Sequence, residues 1–369
     1  MTRRMPMLAA LLVALLCLPA IARAAIDLVD ITGRHITLDA PAERIVLGDG
    51  RHIMVMGMLE DNPVHRIVGW RQDKALDPAR LAAFRAVFPQ IADIAPVGAG
   101  NRQLSVESTI ALMPDLVVLS LIDADDPQMQ VPLMQLDAAG IPVVFVDFFS
   151  QPMQNTTQSL RILARAIGAE ARAEEFAAFY EQHLARLRDR LADAAAPLRR
   201  PSVFVQVHAA ADKCCATVGA GVFHDFVTAA GGHNLGADLV PGLMGNVGLE
   251  NLIALDPDFY LATGGQHMRA RGGLVIGAGV AQAEVDASFA TLLASAGIGD
   301  LRAVRSGNAI AIWHLFNDSP MHIALIEHLA KRFHPALFAD VDPAATMAEI
   351  QARFSPIDVS GVWWSDAPK

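Results

Sequence analysis

Residues 105–118 read SVESTIALMPDLVV, and residues 248–261 repeat the pattern as GLENLIALDPDFYL. The two copies share a glutamate, Glu107 and Glu250, followed by Ile-Ala-Leu and a Pro-Asp pair. In each copy proline ends a short helix, and the apolar run behind it is typical of a parallel strand buried on both faces. Because the copies lie 143 residues apart and occur only twice, they predict two duplicated lobes rather than a solenoid.

Apolar runs that alternate with helical stretches extend this pattern through both halves. The predicted strands cover residues 44–47, 66–69, 116–119, 143–146, 202–207, 259–262 and 309–313. Strands separated by helices of about ten or more residues indicate parallel sheets. The sequence therefore predicts an α/β protein with two Rossmann-like lobes, each built on a parallel sheet.

A predicted helical segment, residues 154–196, connects the halves. It carries apolar residues at helical spacing on one face: Phe176, Tyr180, Leu184, Leu187 and Leu191. A flexible linker would be polar, so we expect one long helix over residues 174–194. It would join an N-terminal lobe, residues 25–153, to a C-terminal lobe, residues 197–369.

The first 24 residues have the layout of a cleaved secretory signal. Arg3 and Arg4 precede an apolar run over residues 8–19, and an Ala-Arg-Ala site follows at residues 22–24. The run of about twelve apolar residues is shorter than the ~20 that span a bilayer. We expect cleavage after Ala24 and export to the periplasm, by either the general secretory or the twin-arginine route.

The composition is that of a folded, acidic protein. The chain has 369 residues, of which 53% are hydrophobic and 18% charged, and this excludes intrinsic disorder. Loss of residues 1–24, which contain three arginines and no acidic residue, changes the net charge from −10 to −13. A chain with this charge gives no reason to expect a nucleic-acid partner.

Two cysteines remain after cleavage, and they are adjacent. Cys214 and Cys215 can form a vicinal disulfide in an oxidising compartment. A structural or incidental pair in a loop and a ligand role are the alternatives. All three remain open on the sequence.

Several motifs, in order along the chain, resemble the periplasmic substrate-binding proteins of ABC importers for ferric siderophores, haem or cobalamin. They are VDITGR (29–34), PAERIV (41–46), the two repeated segments, AAGGHN (229–234), AVRSGN (303–308), IWH (312–314) and HPALF (334–338). The resemblance implies two lobes joined by one helix, little hinge motion, and a ligand held in the cleft. It also implies a monomer without an intrinsic cofactor that delivers its ligand to an ABC permease dimer with a cytoplasmic ATPase.

The resemblance also gives the repeated glutamates a role. In this family one glutamate on each lobe engages arginines of the two permease subunits, and Glu107 and Glu250 match that position. Two like-placed carboxylates suit a two-fold partner, since arginine–carboxylate pairs set register and encounter rate. The alternative is an acid in the first turn of each helix, stabilised by the helix dipole without any partner.

The loops that follow the strands are expected to hold the ligand, because ligands bind beyond the carboxyl ends of parallel strands. These loops concentrate arginine, histidine and aromatic residues. The candidate ligand-binding residues are Arg51, His52, Trp70, Arg71, His208, His267, Arg269, Arg271, His314, Phe316 and Asn317. Arginine suits the oxygens of an anionic chelate, and Trp70 and Phe316 are expected to pack against an apolar ligand face. The alternative for each is structural, as an interior histidine, a core aromatic residue or a surface arginine.

The expected ligand is an iron complex, in the first place a ferric siderophore, with haem, cobalamin and other metal chelates as alternatives. Haem carriers of this class often ligate iron through tyrosine, but the only tyrosines are Tyr180 and Tyr260, outside the candidate loops. No H-x-x-x-H motif or run of histidines indicates a site for a bare ion. The metal ligands therefore stay unknown at this point.

The motifs of common enzyme classes do not occur in the sequence. It has no phosphate loop, no G-x-S-x-G elbow and no H-E-x-x-H zinc motif, so we expect a protein that is not an enzyme. The remote alternative is a secreted redox protein that uses Cys214 and Cys215, although the pair lacks C-x-x-C spacing.

Overall fold

The strands of the N-terminal half form a five-stranded parallel sheet and two small hairpins. The computed structural model describes residues 25–72, 76–99, 103–194 and 198–367, and the predicted signal peptide lies outside the described residues. The strands are β1 (Ile26–Val29), β2 (His35–Leu38), β3 (Ile45–Leu47), β4 (Ile67–Trp70), β5 (Ala95–Pro96), β6 (Gly98–Ala99), β7 (Gln103–Leu104), β8 (Leu116–Ser120) and β9 (Val143–Val146). The sheet has the order β5-β4-β3-β8-β9, while β1 pairs with β2 and β6 with β7 in antiparallel fashion.

Helices cover both faces of this sheet. They are α1 (Ile53–Leu59), α2 (Pro78–Val87), α3 (Val106–Ala111), α4 (Leu121–Ala124) and α5 (Gln130–Ala138). Strands β3, β8 and β9 are buried along their whole length, as their unbroken apolar runs require. All four strands that the sequence predicts in this half are confirmed.

Two helices connect the halves. Helix α6 (Pro152–Ile167) ends at Gly168, which has a φ of 75° that favours glycine, and α7 (Glu170–Ala192) follows directly. Helix α7 is 23 residues long and begins four residues before the predicted start. It packs against α1 of the first lobe and, through Tyr180, against His322 of the second, so that it braces both.

The C-terminal half contains a seven-stranded mixed sheet. Its strands and the small pair beside it are β10 (Ser202–Gln206), β11 (Ala216–Val218), β12 (His233–Asn234), β13 (Met244–Asn246), β14 (Phe259–Gly264), β15 (Gly277–Ala278), β16 (Ala309–Trp313), β17 (Gly361–Val362) and β18 (Trp364–Asp366). The helices are α8 (Phe223–Ala229), α9 (Leu235–Leu239), α10 (Leu249–Leu255), α11 (Gln282–Leu293), α12 (Arg302–Arg305), α13 (His322–Phe333) and α14 (Pro343–Phe354). Within the described residues, no helix has the length and apolar character needed to cross a membrane.

The centre of this sheet is parallel and its edges are antiparallel. Strands β12, β10, β14 and β16 pair in parallel, whereas β11, β13 and β18 add antiparallel pairs. The sequence predicted parallel strands only. Strand β11 follows β10 after a loop too short for the crossover of about a dozen residues that parallel pairing needs, and it therefore runs antiparallel.

The repeat extends to the backbone conformation. Helix α3 leads through Met113 into β8, and α10 leads through the equivalent residue Asp256 into β14. Both residues have a positive φ, 46° for Met113 and 38° for Asp256, which is uncommon for side chains other than glycine. The two lobes therefore share the same turn as well as the same motif.

The lobes meet in a closely packed boundary. Arg80 of α2 lies with its guanidinium 4.1 Å from the centroid of the Trp313 ring and 5.1 Å from that of Trp363. Burial lowers the pKa of Arg80 to about 10, and nearby Asp77 opposes that shift. One continuous apolar cluster contains residues of both lobes and of α7, so the boundary is part of the core.

Candidate ligand-binding site

A cavity of about 390 Å³ lies between the lobes, at the carboxyl ends of the parallel strands. This is where the topology of both sheets predicts a ligand. Its walls come from both halves of the chain: Arg51, Leu76, Asp77 and Pro78 from the first, and His208, Gly265, Gln266, His267, Trp313, His314 and Leu315 from the second.

Three histidines from three different loops converge in this cavity. His208 follows β10, His267 follows β14, and His314 follows β16. His208 Nδ1 lies 2.9 Å from His267 Nε2, and the ring centroids of His208 and His314 are 3.9 Å apart. The cluster escapes sequence motifs because its members lie on separate strands rather than on one helix.

All three imidazoles are neutral at pH 7. Burial, together with the charges of His267 and Arg271, lowers the pKa of His208 to about 4. The pKa of His267 is lowered by burial and Arg271, and burial lowers that of His314 well below its ordinary value. Neutral imidazole is the form that binds metal ions.

Hydrogen bonds determine which ring nitrogens can act as ligands. In the neutral pair, either His208 or His267 donates to the other, and each arrangement leaves one unprotonated nitrogen, His208 Nε2 or His267 Nδ1. Neither atom hydrogen-bonds to another described residue. His314 Nε2 accepts from Asn317 Nδ2, and Nδ1 donates to Thr263 Oγ1, so His314 becomes a ligand only if Asn317 moves. The pair therefore offers one metal ligand without breaking any contact.

Arg51 forms the wall of the cavity on the side of the first lobe. Its guanidinium binds both carboxylate oxygens of Asp49, at 2.9 and 2.6 Å, and its Nη2 lies 2.7 Å from Asp318 Oδ2 in the other lobe. Asp49 is fully buried, and the side chain of Asp318 is only 2% exposed. Their negative charges hold the pKa of Arg51 above its usual range, although burial opposes this.

Asp49, His52 and Asp318 lie close enough together to hold a metal ion. The guanidinium of Arg51 already lies between the two carboxylates and supplies the positive charge there. A divalent cation at this place would have to displace Arg51. The cluster is therefore better described as an ion-pair bridge between the lobes than as a metal centre.

Residues 70–312 match the family described as periplasmic binding protein. The chain belongs to the periplasmic binding protein family. This family is a class of solute-binding proteins without enzymatic activity. Its members work in the periplasm and partner with an ABC permease and ATPase. The expected family, fold class and absence of catalysis are thereby confirmed.

Solved structures extend the similarity to most of this periplasmic binding protein. The TroA-like periplasmic binding protein FepB from Veillonella parvula is 26% identical, with 93% of this chain and 100% of that chain covered and a TM-score of 0.83. CeuE of Helicobacter pylori in complex with Ni-His is 17% identical, with 90% and 96% covered and a TM-score of 0.65. A periplasmic heme binding protein from Pseudomonas aeruginosa is 21% identical, with 89% and 99% covered and a TM-score of 0.58. No curated protein matches the chain.

The remaining candidate ligand-binding residues lie in the walls of the cavity or away from it. Trp70 and Arg71 are buried, and Arg71 lies 3.6 Å from Asp123 in the same lobe. Phe316 is fully buried, edge-on to Trp313, so it belongs to the core. Arg269 is exposed and binds both oxygens of Glu284.

A second cavity of about 360 Å³ adjoins the first and shares His208 with it. Arg271 borders this cavity and forms no ion pair with any of the described residues. Exposed Cys214 borders it too and forms a disulfide with buried Cys215. The periplasmic binding protein thus has a positive charge beside its histidine pair.

Sequence reasoning missed Asp77, Trp313 and Asp318. Asp77 was detectable, because Asp-Pro at residues 77–78 is a helix start directly after a strand and its loop. Trp313 ends a predicted strand and lines the cavity, although its side chain is almost entirely buried. A strand that is apolar throughout does not show which of its residues reaches the cavity. Asp318 is identified only by its contact with Arg51.

The two repeated glutamates lie on the surface of this periplasmic binding protein. Glu107 and Glu250 occupy the first turns of α3 and α10 and are exposed. Neither forms an ion pair with a described residue. Both carboxylates are accessible to a partner.

Proposed function

We propose that this protein is the solute-binding component of an ABC importer that captures an anionic iron complex, in the first place a ferric siderophore, in the cavity between its lobes. Residues 1–24 would direct the chain through the inner membrane and be removed after Ala24. The mature protein, as a monomer without an intrinsic cofactor, would deliver the complex to a permease dimer.

The observation that carries this proposal is the pairing of neutral histidines with an arginine that has no acidic partner among the described residues. The histidine pair offers one nitrogen ligand to a metal whose chelator leaves a position open. Arg271 supplies positive charge beside the histidine pair, whereas the charge of Arg51 is already balanced by Asp49 and Asp318. A neutral or cationic ligand would make no use of Arg271, whereas an anionic chelate would form charge-assisted hydrogen bonds with it.

Relatives of the same fold support a metal complex as ligand. CeuE of Helicobacter pylori is described in complex with Ni-His, and the Pseudomonas aeruginosa protein is described as heme-binding. Haem is the weaker alternative here, since both tyrosines are engaged in the interior. Tyr180 hydroxyl lies 2.7 Å from His322 Nε2, and Tyr260 donates to Gln206 Oε1. Haem, cobalamin or another metal chelate would therefore rely on the histidines.

The absorption spectrum of the protein purified from its native compartment tests the ligand class. Iron complexes, haem and cobalamin have distinct bands, and we expect the bands of a ferric chelate. Quenching of the fluorescence of Trp313 and the other tryptophans then measures affinity for ferric tricatecholate, ferric trihydroxamate, haem and cyanocobalamin. A protein that binds haem or cobalamin but neither ferric chelate would overturn the proposal.

A pair of matched variants tests the charge argument. Arg271→Gln should weaken binding of the strongly anionic ferric tricatecholate by about tenfold, or about 1.4 kcal/mol. The same substitution should weaken binding of the neutral ferric trihydroxamate much less. Arg188→Gln, which removes an equal charge from the exposed surface of α7, should change neither. Equal losses for the two chelates would show that Arg271 does not recognise ligand charge.

Glu107 and Glu250 are proposed as the contacts with the two permease subunits. Replacement of both by alanine should reduce uptake while the affinity for the ferric chelate stays unchanged. Reduced chelate affinity in the purified double variant would contradict this assignment. Both carboxylates are exposed, so their removal should leave the fold intact, and a thermal melt checks this.

A bare transition-metal ion is the second candidate, because three neutral imidazoles meet in the cavity. Titration with NiCl₂ and ZnCl₂ alone, followed by calorimetry, distinguishes it from the chelate. The proposal predicts weak binding of the metals alone and tight binding of the ferric chelate. The double variant His208→Ala with His267→Ala should weaken binding of the metals and of the ferric chelate, since the pair supplies the ligand atom in either case.

A further inference from the structure

Each lobe exposes an isoleucine beside its repeated glutamate. Ile110 is 36% exposed and Ile253 is 45% exposed, and they occupy equivalent positions in the two copies. Each follows its glutamate by three residues, which places both side chains on one face of α3 or α10. Both lobes therefore present a carboxylate and an adjacent apolar side chain to solvent.

We infer that these isoleucines belong to the docking surface, and that each packs against one subunit of the permease around the contact made by its glutamate. The inference rests on the proposed docking of Glu107 and Glu250 and extends it. A single exposed isoleucine is common on protein surfaces. Here the same exposed residue recurs at both ends of a duplicated structure, next to the same acid.

Other apolar side chains enlarge the patch in each lobe. Met113, two residues after α3, is 74% exposed, and Leu255 at the end of α10 is 36% exposed. Helix α5 packs against α3 and carries two more exposed apolar residues, Val131 and Met134. The acid in each lobe thus has exposed apolar side chains on its own helix or on the helix packed against it.

The support beneath each patch is rigid. Arg44 donates to the carbonyls of Leu112 and Met113 at the end of α3, at 2.7 and 3.1 Å. Arg302 donates to the carbonyl of Asp256 at the end of α10, at 2.8 Å. In both lobes an arginine, Arg44 just before β3 or Arg302 of α12, holds the turn, so little order has to be gained on docking.

The chemistry of the patch specifies the partner. A carboxylate surrounded by apolar side chains pairs most strongly with a cation whose surroundings are also apolar, because water is then excluded from the ion pair. Each permease subunit should therefore present an arginine or lysine among apolar residues. The occurrence of one such patch in each of the two repeated segments favours a two-subunit permease over a second copy of this chain.

Binding of the purified protein to the cognate permease–ATPase complex in lipid nanodiscs tests the inference without any ligand. Ile110→Ser with Ile253→Ser should weaken binding by at least about tenfold, with little change in its salt dependence. Glu107→Ala with Glu250→Ala should also weaken binding and should reduce its salt dependence. The control is Val29→Ser with Val87→Ser, which removes two comparably exposed apolar residues from other surfaces. Thermal melts establish that the variants are folded.

The outcomes separate the two proposals. If the glutamate variant weakens binding and the isoleucine variant does not, the apolar part of the surface is wrong and the acidic part stands. If only the isoleucine variant weakens binding, the apolar contact stands and the role of the glutamates is wrong. If neither variant differs from the valine control, or if the isoleucine variant changes only self-association in light scattering, the docking surface lies elsewhere.

Discussion

Arg51 of the first lobe and Asp318 of the second are joined by a 2.7 Å ion pair at the edge of the ligand cavity. The same guanidinium also binds Asp49, so one cation lies between a carboxylate of each lobe. The wall of the proposed ligand cavity and the contact between the lobes thus share a single side chain.

Arg51→Gln should reduce both stability and affinity for the ferric chelate. Removal of one member of a buried ion pair leaves the other charges uncompensated, at a cost of about 3–5 kcal/mol. Urea unfolding measures the loss, and a double-mutant cycle with Asp318→Asn isolates the contact between the lobes. A coupling energy near zero would show that the two residues act independently.

His208 should titrate near pH 4 rather than near its ordinary value of about 6.5, because burial, His267 and Arg271 disfavour its charged form. The chemical shift of its imidazole in NMR spectra, assigned by comparison with His208→Ala, measures the titration. Chelate affinity should accordingly persist when the pH falls from 7 to about 5. A midpoint above pH 6 would contradict the lowered pKa of His208.

The buried His322 should make the protein sensitive to acid. Burial lowers its pKa to about 3 in the folded state, whereas the unfolded chain binds the proton near pH 6.5. Its contribution is fully present above pH 6.5 and is lost as the pH falls towards 3, by about 1.4 kcal/mol per pH unit.

Urea unfolding of His322→Gln across pH 4 to 7 checks this effect. The variant should show a correspondingly flatter decline of the free energy of unfolding, even if it is less stable at pH 7. His65→Gln, at an exposed histidine, is the control. Parallel declines in both variants would assign the acid sensitivity to other groups.

Arg80→Ala should destabilise the boundary between the lobes by about 2 kcal/mol or more, since the guanidinium lies desolvated against Trp313 and Trp363. The midpoint of urea unfolding and the radius of gyration in solution are the measurements. Arg85→Ala, on the exposed side of the same helix, should leave both unchanged. An unaltered midpoint for Arg80→Ala would mean that the aromatic contacts add little.

The sequence predicts those features that rest on local patterns. Pro114 and Pro257 mark the starts of two buried strands, and every predicted strand is present. The position of loops at the carboxyl ends of strands brings His208, His267 and His314 together as expected, since parallel strands share that edge. Local patterns predict these features because helices and parallel strands each impose a characteristic spacing of apolar residues within a few positions.

Contacts between distant segments remain outside such reasoning. Trp70 ends a strand and Phe316 follows one, yet both side chains are buried in the core, because the direction of a side chain at a strand end depends on what packs behind it. The pairing of Arg51 with Asp318 joins residues from different lobes, and neither carries a local signal of the other. The antiparallel edges of the second sheet depend on loop length rather than on strand composition.

The apolar cluster that continues from one sheet through α7 to the other has a consequence for how the chain folds. Two lobes with a common interior cannot melt separately, because exposing one half of the cluster strips the other of its packing. Unfolding should therefore proceed as one cooperative transition, with a single calorimetric peak. Neither half, cut from the other within the connecting segment, should fold alone.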